Sequence, residues 1–177
     1  MMKISLDTNA VLDFCYRTYP EDVFPQLWGV LHSFKLANTV KFFICDSILS
    51  EIEQKISDYN YDEDIFQNFL DRFSVRKITS DEHGASTLEL KKQLLSFPAS
   101  SDSHHVKKDN YADLDVISLS HHLGSGACVL TCEQKAPVFN WDAKSHKGNL
   151  KVPNICEKFS LDCGNWPQVL LKLGVVV

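Results

Sequence analysis

The chain has 177 residues, 44% of them hydrophobic and 23% charged, which suits one globular domain around a single core. Its net charge of −5 excludes a sequence-independent nucleic-acid coat, which needs a basic face to displace counterions from phosphates. Met1-Met2-Lys3 leads into only a short apolar run, and no window approaches eighteen apolar residues, so neither a signal peptide nor a membrane span is expected.

The first predicted element is a strand over residues 3–7, short and apolar, that stops on Asp7. Residues 9–16 and 21–37 have helical patterns, with Pro20 and Pro25 near the start of the second, where proline is tolerated. "KFFIC" (41–45) is aromatic and β-branched, a buried strand. "DSILSEIEQKISD" (46–58) follows as a helix that Asp46 or Ser47 can cap, with Ile48, Ile52 and Ile56 at four-residue spacing. "DEDIFQNFLDRF" (62–73) is a second amphipathic helix, with Ile65, Phe66, Phe69, Leu70 and Phe73 as its stripe. Residues 74–78 read as a short strand and 81–97 as a helix. The polar stretch 98–110 reads as a loop over a site. A helix over 111–123, a strand "ACVLTC" (127–132) and a polar loop over 134–150 follow. "VPNICEKF" and "WPQVLLKL" close the chain as short elements.

Six cysteines without a secretory signal point to reduced thiols in a cytosolic protein rather than a disulfide framework. Cys128-x-x-x-Cys132 matches no common zinc spacing. The adjacent pairs His104-His105 and His121-His122 lack the i,i+4 spacing that lets two imidazoles share an ion on a helix.

Strands that alternate with helices predict a parallel sheet covered on both faces, with its ligand crevice at the carboxyl ends of the strands. Four segments carry acids to that rim. Asp7 ends the first strand and Glu133 follows the strand 127–132. Glu51 lies one turn into the helix after 41–45, and Asp113 and Asp115 open the helix 111–123. Each alone has an ordinary role as a cap, a dipole partner or a solvated charge. Gathered on one rim they repel one another, and a cation among them relieves that cost. Oxygen-only ligands suit Mg²⁺ or Mn²⁺, which can activate water and neutralise charge on a phosphodiester. Local lysines at Lys107 and Lys108, and at Lys144, Lys147 and Lys151, are candidates for steering a phosphate backbone.

The pieces "SLDTNAVLD" (5–13), "DSILSEIEQKI" (46–56), "YADLDVISLSHHLG" (111–124) and "VLTCE" (129–133) resemble, in order, the PIN domain family of metal-dependent ribonucleases, which includes VapC-type toxins. "KVPNICEKF" (151–159) is similar to the closing part of an uncharacterised PIN-like branch. The resemblance implies a three-layer α/β/α fold with a mostly parallel sheet of about five strands, in one domain spanning 1–177. It implies that Asp7, Glu51 and Asp113 bind metal, that Glu133 stands where a fourth acid is found, and that Asp115 is an auxiliary acid. Asn9 and Thr131 resemble the polar residues that steady the first acid and a metal-bound water. Thr8 is a further supporting residue, and with Asp7 read as a metal ligand, capping passes to Thr8 or Asn9. The implied activity is cleavage of single-stranded RNA, with an antitoxin protein and a homodimer as implied partners. The serines of "DVISLS" depart from the alanines of many members and bear on helix packing.

Two other readings are open. Asp7-Thr8-Asn9 and "VLT" echo haloacid-dehalogenase-like phosphatases, although Asn9 replaces the acid that would protonate the leaving group. A PIN-like scaffold that binds RNA or a partner without cutting is the other.

Overall fold

A computed structural model describes residues 1–98, 112–137, 139–142 and 150–175. The apolar runs become the strands β1 (Met2–Leu6), β2 (Val40–Cys45), β3 (Arg76–Ile78) and β4 (Ala127–Leu130), joined by β5 (Asp162–Gly164). All neighbours are parallel and the order is β3-β2-β1-β4-β5. β1 is therefore central, with Ile4 registered against Phe42 on one side and Cys128 on the other. The chain builds outward from β1 to β3, then returns to build outward from β4. The gap between the carboxyl ends of β1 and β4 is the point where a parallel sheet opens a ligand crevice.

Helices cover both faces. α1 (Thr8–Leu12) runs into a π-helical turn, Asp13–Arg17, and α2 (Pro25–Leu36) leads to β2. α3 (Asp46–Tyr59) and α4 (Glu63–Arg72) precede β3. α5 (Ser80–Leu95) and α6 (Ala112–Leu123) precede β4, and α7 (Val152–Lys158) and α8 (Trp166–Lys172) flank β5. Ser5 donates to the Val116 carbonyl at 2.8 Å, so that side of β1 faces α6. Strand alternation then turns Ile4 and its partner Phe42 to the opposite face. There Phe42 joins Phe14, Trp28, Phe69, Phe73 and Trp166 in one aromatic cluster. α6 is buried along most of its length, including Ser118 and Ser120. Ser118 returns its hydroxyl to the Leu114 carbonyl at 2.7 Å, so the small residues pack closely without stranding that donor.

The expected three-layer arrangement is present, and the differences are local. The helix expected over 9–16 splits into α1 and the π-turn. The one expected over 21–37 starts only at Pro25, which has no N–H to continue a helix backwards. β3 starts after Ser74, whose φ of 47° breaks the extended path. β5 was not anticipated, because Asp162-Cys163-Gly164 has no apolar run. α3 is not capped by Asp46 or Ser47: Cys45 is its N-cap, and Asp46 instead accepts from the backbone N–H groups of Ser47 (2.9 Å) and Ser80 (3.0 Å). All six cysteines are free thiols. Among the described residues no helix is long and apolar enough to cross a membrane.

Candidate functional site

Asp7 is the first residue past β1, and its N–H bonds the Leu130 carbonyl at 3.0 Å. That bond pins it between the ends of β1 and β4. Its carboxylate is held by neutral donors. Thr131 Oγ1 donates to Asp7 Oδ2 at 2.7 Å, and the same Thr131 oxygen accepts the Glu133 N–H at 3.1 Å. Asp7 is 3% exposed, and burial, more than anything else, pushes its carboxyl up to about 7. The Thr131 hydroxyl pulls it back, the charges of Asp113 and Glu133 push it further up, and the Thr8 N–H opposes them. Replacing Thr131 by Val, which keeps the shape and removes the hydroxyl, is expected to raise the Asp7 pKa further. A ¹³C titration of the Asp7 carboxyl checks this, and an unchanged midpoint would refute the role given to Thr131.

The other acids arrive from two helices and a loop. Glu51, in the second turn of α3, accepts from Thr8 Oγ1 at 2.8 Å. Glu133 accepts from Lys151 Nζ at 2.8 Å and from the Val152 N–H, at the start of α7, at 2.9 Å. The Glu133 hydrogen bond raises the Lys151 pKa, against burial, and the charges of Glu133 and Asp113 add to it. Asp113, half-buried in the first turn of α6, thus acts on both Asp7 and Lys151. Asp115 does not join them. It lines a cavity of about 510 Å³ with Asp46, Ser47, Ser50, Glu51 and Ser80, and its charge acts on Cys45 and His83. Glu51 stands between the two groups. On the other side, Thr131 and Glu133 open onto a cavity of about 440 Å³ shared with Asp162, Cys163 and Asn165 at the ends of β4 and β5.

A family model described as "Domain of unknown function (DUF4411)" matches residues 4–176. The chain belongs to that family. No curated protein and no solved structure matches it.

In this DUF4411 chain the acids are brought to one end of the sheet, but among the described residues no three His, Cys, Asp or Glu side chains surround a common point. Glu51 and Glu133 are turned to Thr8 and Lys151 instead. The donor set still suits a hard divalent cation: all ligand atoms are carboxylate or hydroxyl oxygens. The buried Asp7 carboxylate, with two acids acting on it, has neutral donors and no basic side chain bonded to it among the described residues.

The supporting residues separate. Thr131 steadies Asp7 as anticipated. Asn9 does not: it is exposed, and its Oδ1 accepts from Arg17 at 3.4 Å. Neither Thr8 nor Asn9 caps α1, because the N-cap position is Asp7 itself and the Thr8 hydroxyl goes to Glu51. Lys151, expected to face a phosphate backbone, is the counter-ion of Glu133. Eighteen residues separate the two, so no local pattern announces the pair. Lys107, Lys108, Lys144 and Lys147, with His104 and His105, lie outside the described residues.

Proposed function

We propose that this protein is a metal-dependent endoribonuclease of the PIN-like kind. One observation carries the reading. A buried carboxylate, Asp7, sits at the switch point of a parallel sheet, under the field of Asp113 and Glu133 and without a basic partner bonded to it among the described residues. Such an arrangement is costly by itself and suits a divalent cation.

Asp7, Glu51 and Asp113 would hold Mg²⁺ or Mn²⁺, with Glu133 as the further acid on the β4 side and Asp115 on the α3 side. A bound ion would lower the pKa of water and neutralise charge on a phosphodiester. The protein's own groups do the positioning. Thr131 fixes the Asp7 carboxylate against rotation, and Thr8 fixes Glu51. Lys151 neutralises Glu133 and leaves an ammonium beside the rim. Lys107, Lys108, Lys144 and Lys147 belong to the same proposal as contacts to the RNA backbone. An antitoxin partner and a homodimer belong to it on the resemblance alone.

The test is cleavage of defined single-stranded RNAs by the purified chain with Mn²⁺ and with EDTA. Activity should vanish with EDTA and fall more than about 100-fold in Asp113→Asn, beyond the loss usual for residues that only support a metal ligand. Equal, metal-independent cleavage by both proteins would overturn the mechanism. RNA binding without cleavage would favour the scaffold reading, and a phosphoenzyme trapped on Asp7 would favour the phosphatase.

A further inference from the structure

After α7 the chain doubles back through Ser160, whose φ is 54°, and the Leu161 N–H bonds the Cys156 carbonyl at 2.8 Å. This turn returns Cys163, in β5, to Cys156, in α7, and the two thiols hydrogen-bond each other. They differ in access. Cys156 is 0% exposed. Cys163 is half-buried and lines the cavity of about 440 Å³ that Thr131 and Glu133 also face.

The other cysteines lack this combination. Cys15, Cys45 and Cys128 are buried. Cys132, the other half-buried one, is held protonated by burial and by its bond to the Asp13 carboxylate. At Cys163 the hydrogen bond from Cys156 favours the thiolate and Lys172 assists it, while burial and the Asp162 carboxylate oppose them. The thiolate is the nucleophile of cysteine chemistry. An accessible thiolate beside a second thiol is the arrangement in which a sulfenic acid forms and is then captured as a disulfide.

We propose that Cys163 is a site of reversible oxidation by hydrogen peroxide, with Cys156 as its resolving thiol. The Cys163 sulfur attacks one peroxide oxygen, the O–O bond breaks, and the hydroxide leaves with the Cys163 proton as water. The Cys156 sulfur then attacks the Cys163 sulfenic acid. The S–S bond forms, the S–O bond breaks, and the departing oxygen takes the Cys156 proton as a second water. Two thiols are oxidised and one peroxide is reduced to two waters. Cys156, sealed from solvent, meets only the sulfenic acid and not the peroxide. The disulfide joins α7, whose Val152 N–H holds Glu133, to β5, whose Gly164 carbonyl holds the Thr131 N–H at 3.0 Å. No step of this chemistry requires a metal at the acidic rim.

The reduced full chain is treated with hydrogen peroxide in EDTA, its remaining thiols are alkylated, and intact and tryptic masses are read. Cleavage after Lys151, Lys158 and Lys172 places Cys156 in 152–158 and Cys163 in 159–172, while Cys128 and Cys132 stay in 109–135. The expected result is a single chain lighter by two hydrogens, with 152–158 joined to 159–172 and both changes reversed by dithiothreitol. In Cys156→Ser the sulfenic acid is left unresolved, so dimedone should label 159–172. Three results would overturn the proposal: Cys156 and Cys163 both still alkylated after peroxide, 159–172 joined to 109–135 instead, or dimedone in Cys156→Ser confined to 109–135. Should that variant fail to fold, the joined peptides of the unmodified chain still decide.

Discussion

Asp7→Asn is expected to make the metal-free protein more stable above pH 7 and, under the proposed function, to abolish metal-dependent cleavage. In the unfolded chain an aspartate ionises near pH 4, whereas burial and the charges of Asp113 and Glu133 hold folded Asp7 protonated up to about 7. Below about pH 4 the residue is neutral in both states and costs nothing. As the pH rises from about 4 to about 7, only the unfolded chain releases the proton, so the stability associated with Asp7 is progressively lost. Above about 7 both states are ionised and the penalty is constant. A shift of this size corresponds to on the order of 4 kcal/mol. Asn keeps the shape, accepts the Thr131 hydrogen and carries no charge to desolvate. Urea unfolding in EDTA at pH 5 and pH 8 should therefore show a smaller pH dependence in the variant and a higher midpoint at pH 8. Adding Mn²⁺ should raise the wild-type midpoint by mass action and leave the variant largely unmoved. A variant that is less stable than wild type at pH 8 in EDTA would show that the carboxylate is not under strain. A wild-type midpoint indifferent to Mn²⁺ would remove the cation from the account.

This pattern explains why part of the site was legible in the sequence and part was not. Strand ends are marked by the point where an apolar run meets a polar residue, so Asp7 and Glu133 could be placed on one rim from β1 and β4 alone. The Ile48, Ile52 and Ile56 stripe fixes the buried face of α3, and Glu51 follows on its flank. The division of labour between Asp113 and Asp115 is also physical. On a helix, residues two apart point about 200° apart, so Asp113 and Asp115 cannot both face Asp7. One turned to the switch point and the other to the cavity beside Asp46. The role of Lys151 is hidden for a different cause. Its pairing with Glu133 depends on how α7 docks after a long connection, and nothing within a few residues of either reports it. β5 is hidden by the same logic, because a three-residue edge strand is defined by its hydrogen bonds to β4 and not by its composition.

Trp166→Ala is expected to be the most damaging substitution outside the acidic rim. The indole is 1% exposed, stacks on Phe14 at 4.3 Å and lies in the same cluster as Phe42. Phe14 is itself sandwiched, since Trp28 stacks on it at 4.7 Å. Trp166 Nε1 also donates to the Ala10 carbonyl at 2.8 Å, in α1 immediately behind Asp7. α8 thereby holds both the π-turn and the short helix that begins at the site. Truncation opens a cavity under Phe14 and removes a partner of the Ala10 carbonyl, a loss of about 3–5 kcal/mol, or roughly 10 °C in melting temperature for a chain of this length. Trp166→Phe separates the two contributions: it retains an aromatic ring against Phe14 and deletes the donor, for about 1 kcal/mol from the hydrogen bond. If α1 is held mainly by ring packing, the Phe variant should keep both its fold and the raised pKa of Asp7. If the Nε1 bond is what fixes α1, that pKa should fall towards the ordinary carboxylate range as water reaches Asp7, even where the melting temperature hardly changes. Equal stability of the Ala variant and wild type would mean that the aromatic cluster is not what secures the fold behind the site.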